Sequence, residues 1–455
     1  MAERLVVIGG DAGGMAAASQ ARRRRPDLEI VALEKGRWTS YSACGIPYLV
    51  GGDVDSLDRL VVRDPQTFRD RFRIDVRTRH EAMAIDLDRR TVEVRDHEHD
   101  RTYTTGFDLL HLGTGAVSLR PPLPGIDLPI VHGVQTLEDA TRIPTDARNV
   151  VVVGGGYIGL EMAEAFLRRG ARVTVVEKAP QVMGTLDPDM GALVSQAMRE
   201  AGADVRCDTA VEAFEPDAVV TEHGPVPADL VILGLGVAPN SRLAAEAGIE
   251  TGVKGAVKVD VRQRTSADGV WAAGDCCESF HLVARRPVHL ALGTVANKQG
   301  RVAGIDIGGG YATFPGVVGT AVTKVCSTEV GRTGLTEAEA QRLGFGYDAV
   351  TIESTTRAGY FPGAGRITVK VLAERRSGRL LGGQLVGVEG AAKRVDVLAT
   401  ALTAGMTVEE MTALDLSYAP PFAPVWDPVL LAARAAADAV HRAETMGEPG
   451  RNTAS

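Results

Sequence analysis

The chain has 455 residues, 45% hydrophobic and 24% charged, a balance typical of a soluble globular protein too long for one core and so built from two or three domains. A net charge of −8 argues against a nucleic-acid partner, and no apolar run reaches the roughly 18 residues a membrane span needs. Five cysteines, an odd number without regular spacing, suit a reducing cytoplasm better than a disulfide scaffold.

The N-terminus enters a strand pattern at once, "ERLVVIGG", with no signal-peptide layout. "RLVVIGGDAGGMAAASQARRR" then reads as an apolar strand, a Gly-rich turn and an Ala-rich helix. A second strand, "IVALEKG", ends on Glu34. The basic run "RRRR" at 22–25 reads as a solvated helix face. At 40–52 comes "SYSACGIPYLVGG", which sets one thiol, Cys44, before a Gly-Ile-Pro-Tyr turn. "DHEHD" (96–100) reads as a polar hairpin tip rather than a metal site. "FDLLHLGTGAVSLRPPLPG" (107–125) is a strand into a glycine turn, followed by a Pro-rich crossover that marks a domain boundary.

The opening pattern then recurs. "NVVVVGGGYIGLEMAEAFLRRG" runs into "VTVVEKA" and ends on Glu177. Beyond it, "TSADGVWAAGDCCESF" (265–280) is a short strand ending in Gly274-Asp275, whose carboxylate can accept hydrogen bonds from a polyol chain. Cys276 and Cys277, together with Cys207 and Cys326 in strand-like runs, read as packing residues. "VTKVCSTEVGRTG" and "RITVKVLAERRSGRLLGGQLVG" alternate as strands of a C-terminal sheet, with a helix at 391–404 beside it.

Two copies of strand, Gly-rich turn, helix and acid-ended strand predict an α/β protein with two dinucleotide-binding folds. The glycines let backbone approach a pyrophosphate, and the helix N-terminus faces it with free N–H groups. Glu34 and Glu177 fall where a ribose would be hydrogen-bonded. The second copy spells Gly154-x-Gly156-x-x-Gly159, but the first carries Asp11 at the middle glycine. An acid there is unfavourable unless its side chain turns away or caps the helix. The two sites read as FAD in the first fold and a nicotinamide nucleotide in the second.

With "ANKQGRVAG" (296–304), "GRTGLTEAEA" (331–340), "AAKRVDVLATAL" (391–402) and "DLSYAPPFAPVWDPV" (415–429), the chain resembles the single-cysteine branch of the pyridine nucleotide-disulfide oxidoreductases over nearly its full length. That branch holds coenzyme A-disulfide reductase, NADH-dependent persulfide reductases, and NADH oxidase and peroxidase. The resemblance implies a glutathione-reductase-like arrangement: an FAD domain from 1–115 and 253–325, a nicotinamide domain from 116–252, and an α+β dimerisation domain from 326–455 with a disordered tail from about 443. It implies a homodimer whose active site borrows residues from the partner chain. FAD contacts are then expected at Gly9, Asp11, Ala12, Gly13, Gly14, Glu34, Lys35, Ser42, Cys44, Ala82, Thr114, Gly115, Ala116, Asp275 and Gly293. Nicotinamide contacts are expected at Gly154, Gly156, Tyr157, Ile158, Gly159, Glu177 and Gly236, with Tyr157 as an aromatic gate over the flavin.

In the glutathione-reductase branch a second cysteine stands five positions before the flavin-proximal one; here that position is Thr39. Cys44 therefore cycles with an external sulfur or with oxygen. A helix N-terminus after the cysteine and an adjacent flavin are expected to depress its pKa. The oxidase and peroxidase members carry a histidine in the first Gly-rich turn where this chain has Ala12, which favours reduction of a sulfur–sulfur bond. Tyr360 and Tyr418 match tyrosines that reach the cysteine from the partner subunit, where a phenol can protonate a leaving thiolate. Gln20, Arg23 and Ser40 match polar contacts to coenzyme A. Ala43, Phe72 and Trp426 depart from that pattern, the last offering a flat apolar wall where the family has a lysine. The substrate is thus a low-molecular-weight disulfide or persulfide, with coenzyme A first among candidates. Glu177 favours NADH, and Lys178 beside it leaves NADPH open. Two other readings stay open: an NADH oxidase working through a Cys44 sulfenate, and a flavoprotein electron carrier or redox sensor acting on a protein.

Overall fold

A computed structural model describes residues 3–446. Its first sheet is built from apolar runs that are buried on both faces, as a parallel sheet between helices requires. The strands run in the order Val270–Ala272, Leu109–Leu112, Arg4–Ile8, Glu29–Glu34, Asp75–Thr78, all parallel. Helix α1 (Ala12–Arg24) connects the third and fourth of these. Between Glu34 and Asp75 come α2 (Ile46–Gly51) and α3 (Pro65–Phe72). A three-stranded antiparallel unit, His80–Asp86, Thr91–Asp96 and Arg101–Gly106, follows, with "DHEHD" at the tip of its second hairpin. There His99 Nδ1 pairs with the buried Asp96 carboxylate at 2.9 Å.

The second parallel sheet has the order Asp204–Arg206, Arg172–Val176, Asn149–Val153, Leu230–Leu233, Val131–Gly133. It carries α4 (Leu137–Arg142), α5 (Tyr157–Arg168), α6 (Pro188–Glu200) and, after its last strand, α7 (Arg242–Glu246). The chain then returns to the first sheet through Val270–Ala272 and enters α8 (Gly293–Ile307). α8 lies directly on α1. A Cβ at Gly300 or Gly304 would overlap the carbonyls of Gly13 or Ala17, so only small residues permit this approach.

The C-terminal sheet is antiparallel, in the order Ala321–Val325, Thr328–Gly334, Leu380–Gly387, Arg366–Glu374, Tyr347–Thr355. Around it lie α9 (Glu337–Arg342), α10 (Ala391–Ala404), α11 (Val408–Thr412) and α12 (Pro428–Met446). α12 is helical to Met446, so helix rather than tail occupies 443–446; the rest of the expected tail, 447–455, lies outside the described residues. Lys370, 5% exposed, ties this sheet to α6 and α9 through Asp189 (2.8 Å) and Glu337 (2.5 Å), with Asp187 at 3.4 Å. Ile46 and Val50 of α2 share one core with the second parallel sheet and with Val325, Val330 and Val386. α2 therefore sits where the three regions meet.

Candidate functional site

The first cradle forms where the strand Arg4–Ile8 hands over to α1. Gly9 has φ +108°, and a Cβ there would overlap the Gly113 carbonyl at the end of the neighbouring strand. Glu34 closes the turn. One carboxylate oxygen accepts from Gly10 N–H at 2.7 Å, the other from Gly36 N–H at 2.7 Å. Burial pushes the Glu34 carboxyl up in pKa, against those two bonds. Asp11 occupies the N-cap position but makes no cap bond; its carboxylate turns away and accepts from Tyr41 N–H at 3.1 Å. Burial pushes it up to about 6, with the Glu34 and Asp275 carboxylates adding to the effect. Asp275 lies opposite, likewise raised by burial, and its turn is fixed by Gln299, whose side-chain oxygen accepts from Gly274 N–H at 2.9 Å. A Cβ added at Gly115 or at Gly293, the latter opening α8, would meet nothing within 4 Å. Close backbone approach at Gly9, open flanks at Gly115 and Gly293, and the N-terminus of α1 directly after the glycine turn fit the pyrophosphate of a dinucleotide such as FAD.

The second cradle repeats this geometry. Gly154 has φ +105°, with the Gly234 carbonyl in the place Gly113 holds in the first. Glu177 accepts from Gly155 N–H at 2.7 Å and from Ala179 N–H at 2.8 Å. Ile158 and Gly159 belong to the first turn of α5, and Gly236 (φ +86°) opens onto free space. Tyr157 begins α5, and its hydroxyl is buried with no hydrogen-bond partner of ordinary geometry. Burial pushes that phenol up.

Cys44 stands between the two cradles. It lies in a single 3₁₀ turn, Ala43–Gly45, that leads into α2, where Pro47 sits in the first turn. The turn is held from both sides. Thr39, buried, bonds the Gly10 carbonyl, and Ser40, at φ +50°, donates its N–H to the same oxygen at 2.9 Å. Ser42 N–H donates to Leu60 O at 2.8 Å. Cys44 is exposed, yet its thiol is hemmed by enough protein that desolvation pushes it up, with the Glu161 carboxylate next in weight and Asp275 after it. The chain's own groups thus act against the expected depression. α2 is only six residues long, and the nearby charges are carboxylates.

Residues 3–300 match the family model "Pyridine nucleotide-disulphide oxidoreductase", and residues 320–428 match the dimerisation domain of the same name. The chain belongs to that family. It is 38% identical to the "NAD(P)H sulfur oxidoreductase (CoA-dependent)" of Pyrococcus abyssi over 440 residues, 94% of this chain and 97% of the relative. It is 29% identical to the "Coenzyme A disulfide reductase" of Staphylococcus epidermidis over 426 residues, 92% of this chain and 96% of the other. Among solved structures, the NAD-dependent persulfide reductase from A. fulgidus superposes with a TM-score of 0.94 at 40% identity, covering 96% of this chain and 84% of that one.

The other predicted residues of this pyridine nucleotide-disulphide oxidoreductase are spread over the fold. Lys35 pairs with Glu81 at 2.7 Å beside Ala82, at the outer end of the first cradle. Thr114 donates its hydroxyl to Asn240 O at 2.5 Å, and Asn240 N–H reaches Gly115 O at 2.9 Å, clasping the crossover that contains Ala116. Gln20 faces α8 near Gly304, while Arg23 is exposed one turn on. Tyr360 (78% exposed) and Tyr418 (48%) lie together in the C-terminal third. Desolvation and then the Tyr360 hydroxyl push Tyr418 up. Among the described residues, no hydrogen bond or ion pair within the chain joins either tyrosine to Cys44. Trp426 is half-exposed, with the Arg434 guanidinium 5.3 Å from its ring centroid.

Sequence reasoning missed Gly113, Gly234 and Glu161. The two glycines supply the carbonyls that Gly9 and Gly154 lean on. Their signal was present, a glycine directly after the apolar runs "LLHL" and "LVIL", but it emerges only when the two folds are aligned. Glu161 had no local signal, since its partners come from elsewhere in the chain.

Proposed function

We propose that the protein is an FAD-dependent NAD(P)H oxidoreductase that reduces a low-molecular-weight disulfide or persulfide through the single sulfur of Cys44. Coenzyme A is the first candidate for the thiol. The observation that carries the reading is the seat of Cys44, a free thiol between two nucleotide cradles with Thr39 where a second cysteine would stand. The relatives' names support the substrate class.

The FAD region would comprise 1–115 and 253–325, the nicotinamide region 116–252 and the dimerisation region 326–455; the membership of the three large sheets supports that division. Bound FAD supplies passage of an electron pair from nicotinamide to sulfur. The Cys44 thiolate attacks one sulfur of the substrate, forming a mixed disulfide and expelling the first thiolate. The electron pair then breaks the new S–S bond, returning Cys44 to thiolate and releasing the second, so one NAD(P)H and one proton convert RSSR into two RSH. Tyr360 and Tyr418, reaching the site from the second subunit of a homodimer, hydrogen-bond the departing sulfur; their exposure in the single chain supports this role. Gln20, Arg23, Ser40 and Trp426 contact the substrate. Glu177 selects a free ribose hydroxyl, hence NADH ahead of NADPH. Free thiols at all five cysteines support a cytoplasmic setting, and among the described residues no helix is long and apolar enough to cross a membrane.

The test is Cys44→Ser. Flavin reduction by NADH in the stopped flow is expected to persist, while steady-state turnover of coenzyme A disulfide falls by about 10³-fold or more. Turnover that survives the substitution would remove the thiol from the mechanism.

A further inference from the structure

Six residues past its closing acid, each nucleotide fold makes the same backbone turn. In the first, Ser40 (φ +50°) follows Glu34 and gives its N–H to the Gly10 carbonyl at 2.9 Å. In the second, Met183 (φ +51°) follows Glu177 and gives its N–H to the Gly155 carbonyl at 2.7 Å. A left-handed conformation at a residue other than glycine persists only where its surroundings hold it. Four residues further on, the first fold presents Cys44 and the second presents Asp187, at the start of α6. Asp187 occupies the N-cap position but makes no cap bond. It faces the C-terminal sheet instead. Its N–H donates to Gln384 Oε1 at 2.7 Å, and Gln384 Nε2 donates back to its Oδ2 at 2.6 Å. The other carboxylate oxygen accepts from Glu337 N–H at 2.9 Å. Asp187 is 2% exposed and Gln384 1%, so water does not compete for these bonds.

We propose that Asp187 and Gln384 are positioning residues for the nicotinamide nucleotide: through their paired bonds the C-terminal sheet holds the glycine turn of the second cradle in its binding geometry. The connection is short and continuous. Leu186 N–H donates to Met183 O at 2.8 Å and Gln181 Nε2 to Leu186 O at 3.1 Å, which closes residues 181–187 into one compact turn. Val182 packs so tightly on the cradle that a Cβ at Gly155 would lie 2.7 Å from its Cγ1. Gly155 is thereby held at both polar groups, its carbonyl by Met183 N–H and its own N–H by the Glu177 carboxylate at 2.7 Å. A slip of the 181–187 turn therefore displaces the ribose acid and the pyrophosphate turn together. The corresponding turn of the first fold is held by nearby partners, the Gly10 and Leu60 carbonyls. Nicotinamide binding thus depends on the C-terminal sheet in a way that flavin binding does not. This coupling rests on the second cradle being the nicotinamide site. Because the two residues exchange donor for acceptor in a buried place, changing either one alone leaves polar groups unpaired.

The test reads the rate of flavin reduction against NADH concentration in the stopped flow, which yields a dissociation constant for NADH and a limiting rate with no disulfide present. Gln384→Glu sets a second carboxylate against Asp187 and is expected to raise that constant about tenfold, with the limiting rate within about threefold of native. Asp187→Asn, which sets two amides face to face, is expected to act alike. The double variant, Asp187→Asn with Gln384→Glu, rebuilds both bonds with donor and acceptor exchanged and keeps the net charge. It should return the constant to within about twofold of native. Asp189→Asn loosens the same Lys370 cluster but leaves the Asp187–Gln384 bonds intact. It should lower the unfolding temperature and leave the NADH constant unmoved, which general loosening of the domains would not. A native constant in Gln384→Glu, or a double variant that folds yet binds as weakly as the single ones, overturns the proposal. Should neither single variant hold flavin, the native holoenzyme decides. Saturating NAD+ is expected to slow hydrogen exchange of the Met183, Asp187 and Glu337 amides by about threefold or more, and unchanged exchange overturns the coupling. Gly154→Ala, measured alongside, separates two failures. A constant raised by Gly154→Ala but not by Gln384→Glu removes the Asp187–Gln384 role alone, whereas a constant raised by neither removes the nicotinamide assignment beneath it.

Discussion

At equivalent points the first nucleotide fold carries Asp11, Ala12 and His111, and the second carries Gly156, Tyr157 and Ile232. The equivalence is set by register: Val7 pairs with His111 as Val152 pairs with Ile232, and each run ends in the glycine whose carbonyl supports the turn. The parts that shape the cradle are the same in both. Gly9 and Gly154 differ by 3° in φ, and Glu34 and Glu177 each take the N–H of the second glycine at 2.7 Å. What differs is titratable content. The first fold buries a carboxyl against its turn and an imidazole beneath it, and the second has glycine and isoleucine there. Backbone geometry is thus common to both folds, while the titratable groups at these equivalent points belong to the first.

The largest expected effect comes from attacking the shared part. An alanine at Gly9 or Gly154 would place a Cβ on a neighbouring carbonyl at a φ that L-residues avoid, for about 3 kcal/mol or more locally. Equal geometry should give unequal outcomes, because the bound molecules differ. Gly9→Ala is expected to purify without flavin. Gly154→Ala should keep its flavin absorbance and show a KM for NADH raised more than about tenfold. A colourless Gly154→Ala protein would reverse the assignment of the two sites.

The next effect concerns His111, fully buried with neither ring nitrogen hydrogen-bonded. Burial lowers its pKa to about 3. A base whose folded pKa lies below its unfolded value leaves the unfolded chain binding more protons, so stability is lost as pH falls from about 6.5 toward 3. His111→Ile, which copies the second fold, is expected to gain about 1–3 kcal/mol at pH 7 by removing two unsatisfied polar atoms. At pH 5 the gain should grow by about 2 kcal/mol. Urea denaturation at the two pH values measures both; a gain that does not grow on acidification would mean that His111 is charged or water-bonded in the native state.

Which of these features could be read from sequence follows from how locally each is encoded. The cradles are written in a few consecutive residues, strand to glycine to helix to acid, and duplication made them legible twice over. The helix at 391–404 and the hairpin at "DHEHD" are equally local. The cost of His111 was illegible, because in "DLLHLG" it reads as one polar letter in a strand, and only its register beside Val7 and Trp271 shows it sealed in. The rise in the Cys44 pKa was likewise out of reach. It depends first on burial of the thiol by residues distant in the chain, and then on the Glu161 carboxylate, more than a hundred residues away.

The smallest effect, and the one that most sharpens the contrast between the folds, is at Asp11. Sequence left two ways for this acid to be tolerated, capping the helix or turning away, and it turns away onto Tyr41 N–H. Its folded pKa of about 6 lies above the ordinary 3.8, so here the native state binds the extra proton. The carboxyl therefore costs nothing below about pH 4, and its cost grows as pH rises to about 6, then levels off. Asp11→Asn keeps an acceptor for Tyr41 and removes the charge. It should gain about 1–2 kcal/mol at pH 8 and nothing measurable at pH 4. That slope is opposite in sign to the one expected for His111→Ile, so the double variant should lose the two opposing pH dependences that these groups contribute, leaving those of Glu34 and Asp275. If instead Asp11→Asn is neutral at pH 8 and weakens flavin retention, the carboxylate is held ionised by the bound cofactor's surroundings, and the first fold departs from the second for binding rather than at the expense of stability.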